Sequence, residues 1–271
     1  MKDTMMDSGD KASGDRDVLL ARYYDLEYRE YADDQDFYVQ YALALDPGKQ
    51  LPVLELGCGT GRILVALAQA GFDVVGVDGS QAMLDVAAGH LKAGGVWKRA
   101  TLVRSDMRHL EGVPEGPFNM AFCALNTFAY LTSTEDQIAM LSCVSARLVQ
   151  HGILILDLTP PLSHLMPPSS GEMVYQGSYL DVEQQATIHK IVTGVADDAT
   201  QTHHVTIFYD REGDDGTLSR LMQRITMRWT GRYEMELLLK LVGYRVEQIY
   251  GGYELHEYGQ GSERMIFLAR T

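Results

Sequence analysis

The sequence predicts an α/β domain with a seven-stranded, mostly parallel sheet, an antiparallel β insert and an N-terminal helical cap. From residue 53 to 158, short apolar segments of strand length alternate with helical segments, which is typical of a parallel sheet between helices. From 172 to 229, the residues alternate in polarity and are rich in Val, Ile, Thr and Tyr, which indicates antiparallel strands. A helix and two further strands complete the predicted sheet.

Size and charge narrow the function classes. A chain of 271 residues with 46% hydrophobic residues can bury a substantial core. Its formal net charge of −14 repels polyanions, so we predict no nucleic-acid partner. Cys58, Cys123 and Cys143 form no spaced pair, which is typical of a reducing compartment. No signal peptide or membrane-spanning apolar stretch is recognisable, so we expect a cytoplasmic protein without a membrane partner.

The chain divides into three parts. Residues 1–17 are polar and predict a disordered tail. Residues 18–160 and 231–271 predict the core, and two helices broken around Tyr31 form its N-terminal cap. Residues 161–230 predict the β insert, which we expect to wall the pocket at the carboxyl ends of the parallel strands.

The individual elements follow from periodicity and turn residues. The predicted strands of the main sheet are 53–56, 72–78, 100–104, 118–125, 153–158, 244–250 and 264–269. The predicted helices of the core are 60–70, 80–93, 134–149 and 232–241. Ser80 and Thr134 are expected as N-caps, and Gly152 and Gly243 as helix ends.

Three glycines at alternating positions follow the first strand. Gly57, Gly59 and Gly61 come between an apolar strand and an apolar helical pattern, where open α/β sheets bind nucleotides. A dinucleotide fingerprint requires its third small residue one position later. Arg62 occupies that position, which disfavours an oxidoreductase that binds a dinucleotide.

The run Glu55-Leu-Gly57-Cys58-Gly59-Thr-Gly61 resembles motif I of the class I S-adenosylmethionine-dependent methyltransferases, which have a Rossmann-like fold. The resemblance implies S-adenosyl-L-methionine as cofactor. It also implies that Asp78 binds the ribose, that Met83 packs on the adenine, and that Asp106 takes the adenine amino group while Met107 supplies a backbone amide. The cofactor-binding residues implied in full are Tyr24, Glu55, Gly57, Cys58, Gly59, Gly61, Arg62, Asp78, Gly79, Met83, Asp106, Met107 and Leu125.

Within that superfamily, the layout is similar to small-molecule enzymes with a β insert after strand five, including nucleotide-amino-sugar N,N-dimethyltransferases. In that group a Tyr-Asp pair and a residue after strand four meet at the transferred methyl group. Tyr24-Asp25 matches the pair, and Tyr130 stands where histidine is common. Both are catalytic candidates. For each tyrosine, packing on the core is the alternative, and packing is favoured for Tyr28.

Other polar residues have a functional and a structural interpretation. Arg220, Arg224 and Arg228 share one face of a strand, and predict either an anion site or, preferably, a solvated face. His203 and His204 point to opposite faces, so we predict no metal site. His164 and His256 are candidate bases, although a surface loop is the commoner setting for such residues.

Together these features predict methyl transfer to a nitrogen or oxygen of a small-molecule acceptor by in-line displacement. Asn126-Thr-Phe-Ala-Tyr130 lacks the Asn/Asp-Pro-Pro-Tyr/Phe motif of amide and adenine N-methyltransferases. The alternative is a regulatory or scaffolding protein that binds S-adenosylmethionine without turnover. An oligomer through the β insert is possible. The sequence leaves the acceptor and the general base open.

Overall fold

The structure, a computed structural model, describes residues 8–161, 166–213 and 215–271, with side chains described from Gly14 onward. The strands are β1 Val53–Leu56, β2 Val74–Asp78, β3 Ala100–Arg104, β4 Phe118–Cys123, β5 Leu148–Leu158, β6 Val174–Asp181, β7 Ala186–Asp197, β8 Thr202–Glu212, β9 Leu218–Arg228, β10 Arg245–Tyr250 and β11 Met265–Arg270. The α-helices are α1 Ser8–Tyr28, α2 Gln35–Leu45, α3 Arg62–Gln69, α4 Gln81–Ala93, α5 Thr134–Ser145 and α6 Arg232–Val242.

Seven strands form the main sheet in the order β10-β11-β5-β4-β1-β2-β3. Strands β1 to β5 pair in parallel, and β11 lies antiparallel between β5 and β10. This architecture confirms the predicted Rossmann-like class. The strand order reverses between β1 and β4, and ligands bind at such a point, outside the carboxyl ends of the strands.

Helices cover both faces of this sheet. Leu54 and Leu56 of β1 pack in the cluster that contains residues of α5 and α6. Val53 packs in the opposite cluster with residues of α2, α3 and α4. Burial on both sides explains why β1 is apolar except at Glu55, whose side chain is also buried.

Strands β6 to β9 form a separate antiparallel sheet in chain order, as predicted for the insert. Helix α1 of the cap packs on it through Leu20 and Tyr23, which contact Ile188 and Tyr209. The structure differs from the predicted tail because α1 already begins at Ser8. Arg16 donates a hydrogen bond to the Met222 carbonyl (3.0 Å), so the insert supports this end of the helix. Residues 1–7 of the predicted tail lie outside the described residues.

The N-cap and the C-terminal end of α5 were predicted wrongly. Ser133, rather than Thr134, caps α5, since its side chain accepts a hydrogen bond from the Asp136 amide. Gly152 does not end that helix: α5 stops at Ser145, and Gly152 lies within β5, where Leu148 already pairs with Phe118. Ser80 caps α4, and Gly243 ends α6 at φ 97°, as predicted.

Across the described ranges, no helix combines the length and apolarity needed to cross a membrane.

Candidate functional site

The glycine loop leaves β1 in a conformation that favours glycine at three positions. Gly57, Gly59 and Gly61 have φ values of 68°, 52° and 79°, a region that L side chains rarely adopt. A Cβ at Gly57 would overlap the Thr127 side chain, and one at Gly61 would lie 2.8 Å from the Ala87 Cβ. The loop therefore passes closely between α4 and the segment after β4.

Asp78, at the end of β2, is bound by backbone amides of this loop. Its Oδ2 accepts from the Gly59 amide (2.9 Å) and its Oδ1 from the Ser80 amide (2.8 Å). Burial raises the pKa of this carboxyl, and these amide hydrogen bonds oppose the rise. Each carboxylate oxygen has a second lone pair, so Asp78 keeps acceptor capacity for a ligand hydroxyl.

Glu55 contributes a buried acceptor without a partner. Its side chain is 3% exposed, and among the described residues nothing hydrogen-bonds to Oε2. Burial raises its pKa well above the ordinary value, while the charge of Arg62 lowers it. An unpaired buried carboxyl is costly. It therefore suits a cationic ligand group that supplies the missing donor.

Asp157 of β5 fixes the segment after β4 through a hydrogen bond. Leu125 and Asn126 have positive φ values of 47° and 65°. The Leu125 amide donates to Asp157 Oδ2 (3.1 Å), while Tyr253 OH donates to the same oxygen (2.8 Å) and Arg264 Nε to Oδ1 (2.7 Å). Asp157 is fully buried. This network fixes the unusual backbone that forms one wall of the pocket, and sequence reasoning did not identify it.

A pocket lies between these parts, and two tyrosines line it. It is lined by Tyr24, Tyr28, Glu55, Gly57, Cys58, Thr60, Arg62, Ile63, Ala124, Leu125 and Thr127. The Tyr24 and Tyr28 rings stack with centroids 4.6 Å apart. An ideal Cβ on Gly59 would lie 3.5 Å from the Tyr24 ring, so Tyr24 covers the glycine loop directly.

Tyr130 lies at an open part of the same cleft, with 49% of its surface exposed. Desolvation between the cleft walls raises the pKa of Tyr130, and the charge of Asp78 raises it further. Burial also raises the pKa of Tyr24, with a smaller contribution from Tyr130. The two phenols are therefore close enough to interact electrostatically. Both keep their protons at neutral pH.

The insert completes this side of the cleft with residues that sequence reasoning missed. Lys190 of β7 donates to both carboxylate oxygens of Glu27 on α1 (2.6 and 2.7 Å). Its Nζ lies 5.9 Å from the Tyr28 ring centroid. Tyr209 of β8 is buried against Tyr23, and its raised pKa arises from burial and from the charge of Glu27. Glu27 had no sequence signal beyond its place on a cap helix.

Some predicted site residues lie away from the lined pocket. Asp106 is bound by Arg108, whose Nε lies 2.9 Å from both carboxylate oxygens, and this pairing lowers the pKa of Asp106. Met107 packs partly buried against the core, and Met83 is joined to Ser80 through its amide. A Cβ at Gly79 would meet nothing within 4 Å. Asp25 turns away from Tyr24 and faces His90.

The other polar candidates do not form a second site. Arg228 is buried and pairs with Glu234 (2.6 Å), and Arg220 pairs with Asp210 (2.6 Å); these pairings leave no three-arginine anion site. His203 is buried and His204 exposed, as expected for opposite faces. His256 is an exposed neighbour of Glu254, and His164 lies outside the described residues. No cluster of three or more metal-binding side chains occurs in the described ranges.

Comparisons with known proteins agree with this geometry. Residues 53–152 match the family model described as a methyltransferase domain. The cypemycin N-terminal methyltransferase of a Streptomyces species is 29% identical over 214 residues, which cover 79% of this chain and 80% of the relative. The range 53–152 that matches the family model includes the glycine loop, Asp78 and the segment after β4. The chain is an S-adenosylmethionine-dependent methyltransferase.

Solved structures share the fold of this methyltransferase. An S-adenosylmethionine-dependent methyltransferase from Clostridium acetobutylicum aligns with a TM-score of 0.74 and 19% identity, covering 93% of this chain and 97% of its own. The sugar N-methyltransferase KedS8 from a Streptoalloteichus species aligns with a TM-score of 0.71 and 18% identity, covering 91% and 92%. Both alignments extend well beyond residues 53–152, the range that matches the family model.

The site of the methyltransferase fits its cofactor chemically. The unpartnered carboxyl of Glu55 suits the α-ammonium of a methionine moiety, and Asp78 has acceptor capacity for ribose hydroxyls. The glycine loop brings backbone near a ligand without Cβ atoms in the way. Four acidic or aromatic side chains around the pocket, those of Glu55, Asp78, Tyr24 and Tyr28, also suit a cationic sulfonium.

Proposed function

We propose that this methyltransferase transfers a methyl group, by in-line displacement, to an amine nitrogen of a small-molecule acceptor. The observation that carries the proposal is the pocket at the ends of β1 and β4, which Tyr24 and Tyr28 line and which has Tyr130 nearby. Burial raises the pKa of Tyr24 and Tyr130, so neither phenol acts as a general base at neutral pH. The cofactor supplies an electrophilic methyl group on a sulfonium. The residues of this chain align the acceptor and exclude water, which accounts for much of the rate in such a displacement.

The cofactor end of the pocket is assigned to the glycine loop and its neighbours. Glu55, Asp78 and the backbone of Gly57 to Gly61 would hold the cofactor, with Leu125 as the far wall. Asp106 would reach the adenine only by sharing the carboxylate that now binds Arg108. The buried Asp157 would keep Leu125 in place as this wall.

The chemistry at the acceptor end supports nitrogen over oxygen. An aliphatic hydroxyl must lose its proton as it attacks, so it benefits from a base beside it. The raised pKa values of Tyr24 and Tyr130 make their phenolates scarce at neutral pH. An amine attacks through its free lone pair once it is neutral, and it loses its surplus proton to water after transfer. Tyrosine rings also stabilise the ammonium that forms.

The names of similar proteins support the same choice. One relative is named for methylation of a peptide N-terminus and one structural neighbour for methylation of a sugar nitrogen. Both names point to nitrogen as the methylated atom. Tyr24, Tyr28 and Tyr130 would contact the amine, and the Glu27–Lys190 pair would form the outer wall.

The test uses matched acceptors and labelled cofactor. We expect transfer to amino sugars and to peptides with a free N-terminus, and no transfer to the corresponding sugars or N-acetylated peptides. The rate should rise with pH until the acceptor amine is neutral. Transfer to the hydroxyl analogues instead would overturn the proposal. Cofactor binding without transfer to any acceptor would favour the regulatory alternative. The domain boundaries, an oligomer through the insert and a cytoplasmic location stay predictions.

A further inference from the structure

His90 of α4 lies between the cap and the glycine loop. Its Nδ1 is 3.0 Å from the carbonyl oxygen of Thr60, the residue between Gly59 and Gly61. Its Nε2 is 3.4 Å from Oδ2 of Asp25, which follows Tyr24 on α1. One imidazole thus touches the loop beneath the cofactor site and the helix above it.

Both partners of His90 are acceptors. A carbonyl oxygen and a carboxylate have no proton to donate, and a neutral imidazole carries only one N–H. Only the imidazolium donates to Thr60 and Asp25 together. Protonated His90 can therefore satisfy both acceptors, whereas neutral His90 leaves one of them without a donor.

The proton on His90 matters because it compensates the charge of the buried Asp25 carboxylate. The residue is 8% exposed, and its other oxygen, Oδ1, has no partner among the described residues. When His90 is neutral, the Asp25 carboxylate loses the ion-pair partner that the described residues give it and stays buried, which is costly. Movement of α1 that admits water to Asp25 would relieve this cost.

We propose that protonated His90 is a positioning residue that ties α1 to the glycine loop and so holds Tyr24 over Gly59. Tyr24 and Asp25 are neighbours on one helix, and an α-helix turns about 100° per residue. Tyr24 therefore faces the pocket while Asp25 faces α4. The link makes closure of the cofactor site depend on one proton. Its catalytic consequence rests on the proposed function, but its effect on cofactor binding does not.

The direction of the pH dependence follows from the groups around His90. Hydrogen bonding to Asp25 raises the pKa of His90, as does the Thr60 carbonyl, whereas burial and the charge of Arg29, the residue directly after α1, lower it. The net pKa lies above the ordinary value. The link is therefore complete below this pKa and is lost as the pH rises through it.

The experiment measures binding of S-adenosylhomocysteine by calorimetry from pH 6 to pH 9. We expect the wild-type affinity to fall about fivefold through the His90 titration, the size of one partly solvated charge-assisted hydrogen bond. The His90→Gln protein should bind with the weaker affinity of the high-pH wild type and lack this step. Subtracting its profile removes the titration of the ligand's own amino group. The exposed His204→Gln is the matched control and should behave as wild type.

A second measurement does not depend on the His90 variant folding. Histidine NMR titration of the wild type should give His90 a pKa above 6.5, the ordinary value. Asp25→Asn should lower that pKa and move the step in cofactor affinity to lower pH by the same amount. An unchanged His90 pKa in Asp25→Asn, or the same affinity profile in His90→Gln and wild type, would overturn the inference. Neither readout uses an acceptor, so failure of the proposed function leaves this test intact.

Discussion

Arg62 and Asp34 form a bidentate ion pair beneath the cap. Arg62 opens α3, directly after the last glycine of the loop, and Asp34 precedes α2. Arg62 Nη2 donates to Asp34 Oδ2 (2.7 Å), and Nη1 donates both to Asp34 Oδ1 and to the Tyr31 carbonyl oxygen (2.8 Å). Asp34 is fully buried. The pair therefore joins the break between the two cap helices to the start of α3, directly after the glycine loop.

We predict that Asp34→Ala destabilises the protein by about 3 kcal/mol or more, because it leaves the Arg62 guanidinium buried without its anion. Urea unfolding followed by circular dichroism measures the change. Asp73→Ala is the matched control: its pair with Arg99 (3.1 Å) is exposed on both sides, and exposed pairs contribute little. Equal losses in the two variants would contradict a special role for the buried pair.

We predict opposite effects on stability for alanine at Gly61 of the glycine loop and at Gly89 of α4. Gly61→Ala should lower stability by about 1–3 kcal/mol and weaken cofactor binding, because it combines a positive φ with a Cβ 2.8 Å from Ala87. Gly89→Ala lies in the exposed interior of α4, where a Cβ meets nothing within 4 Å. It should raise stability by about 0.5–1 kcal/mol. Thermal unfolding and cofactor calorimetry of both variants test this pair, and a stabilised Gly61→Ala would refute the prediction.

We predict that replacing Glu55 by Gln stabilises the protein without ligand but weakens cofactor binding. Its folded pKa is raised by burial, so the folded carboxyl keeps its proton at pH values where the unfolded one has lost it. The free energy of unfolding therefore falls as the pH rises from the ordinary carboxyl pKa to the folded pKa. Glu55→Gln lacks this loss, and without ligand it should be more stable than wild type at pH 8, by about 1 kcal/mol or more.

The same Gln variant should bind S-adenosylhomocysteine at least about tenfold more weakly, because it removes a charged partner for the ligand ammonium. Melting temperatures from pH 4 to pH 8 and calorimetry at pH 8 provide the two readouts. A variant that is less stable and binds normally would assign Glu55 a purely structural role.

Local sequence patterns predicted most of the fold. Strand β1 was predicted to the residue and β2 within two, because buried parallel strands are continuous apolar runs between turn residues. The glycine spacing also indicated the correct cofactor class. The prediction that Gly152 ends α5 was wrong. A glycine after a helical pattern commonly ends a helix, but Gly152 lies within β5, at the register shift between β5 and β4.

Local sequence patterns could not predict the long-range ion pairs that shape the site. Arg62 and Asp34 are 28 residues apart, and Asp157 and Arg264 are 107 apart. Such pairs depend on how whole elements dock, and no local periodicity encodes them. One signal was available: Asp157 is the single charged residue in the otherwise apolar run from Ile153 to Leu158. A buried charge there implies a partner elsewhere in the chain.

The roles of Tyr24 and Tyr130 can be distinguished by removing one phenol hydroxyl at a time. Tyr24→Phe keeps the stack on Tyr28 and the cover over Gly59, so cofactor affinity should stay within about twofold. If its hydroxyl orients the acceptor, kcat should fall about 10- to 100-fold, the loss from a misplaced reactant. Tyr130→Phe should act mainly on the acceptor KM, because Tyr130 lies at the open part of the cleft.

Tyr41→Phe is the matched control for both variants. It removes the hydrogen bond between α2 of the cap and the Tyr250 hydroxyl of β10 (2.9 Å), which costs about 1 kcal/mol of stability. It should leave kcat and KM unchanged, since Tyr41 does not line the pocket. Steady-state kinetics with an amine acceptor and calorimetry with S-adenosylhomocysteine decide between the roles. Full activity in Tyr24→Phe would show that this ring only packs, and the methyl acceptor would then be aligned by other residues of the cleft.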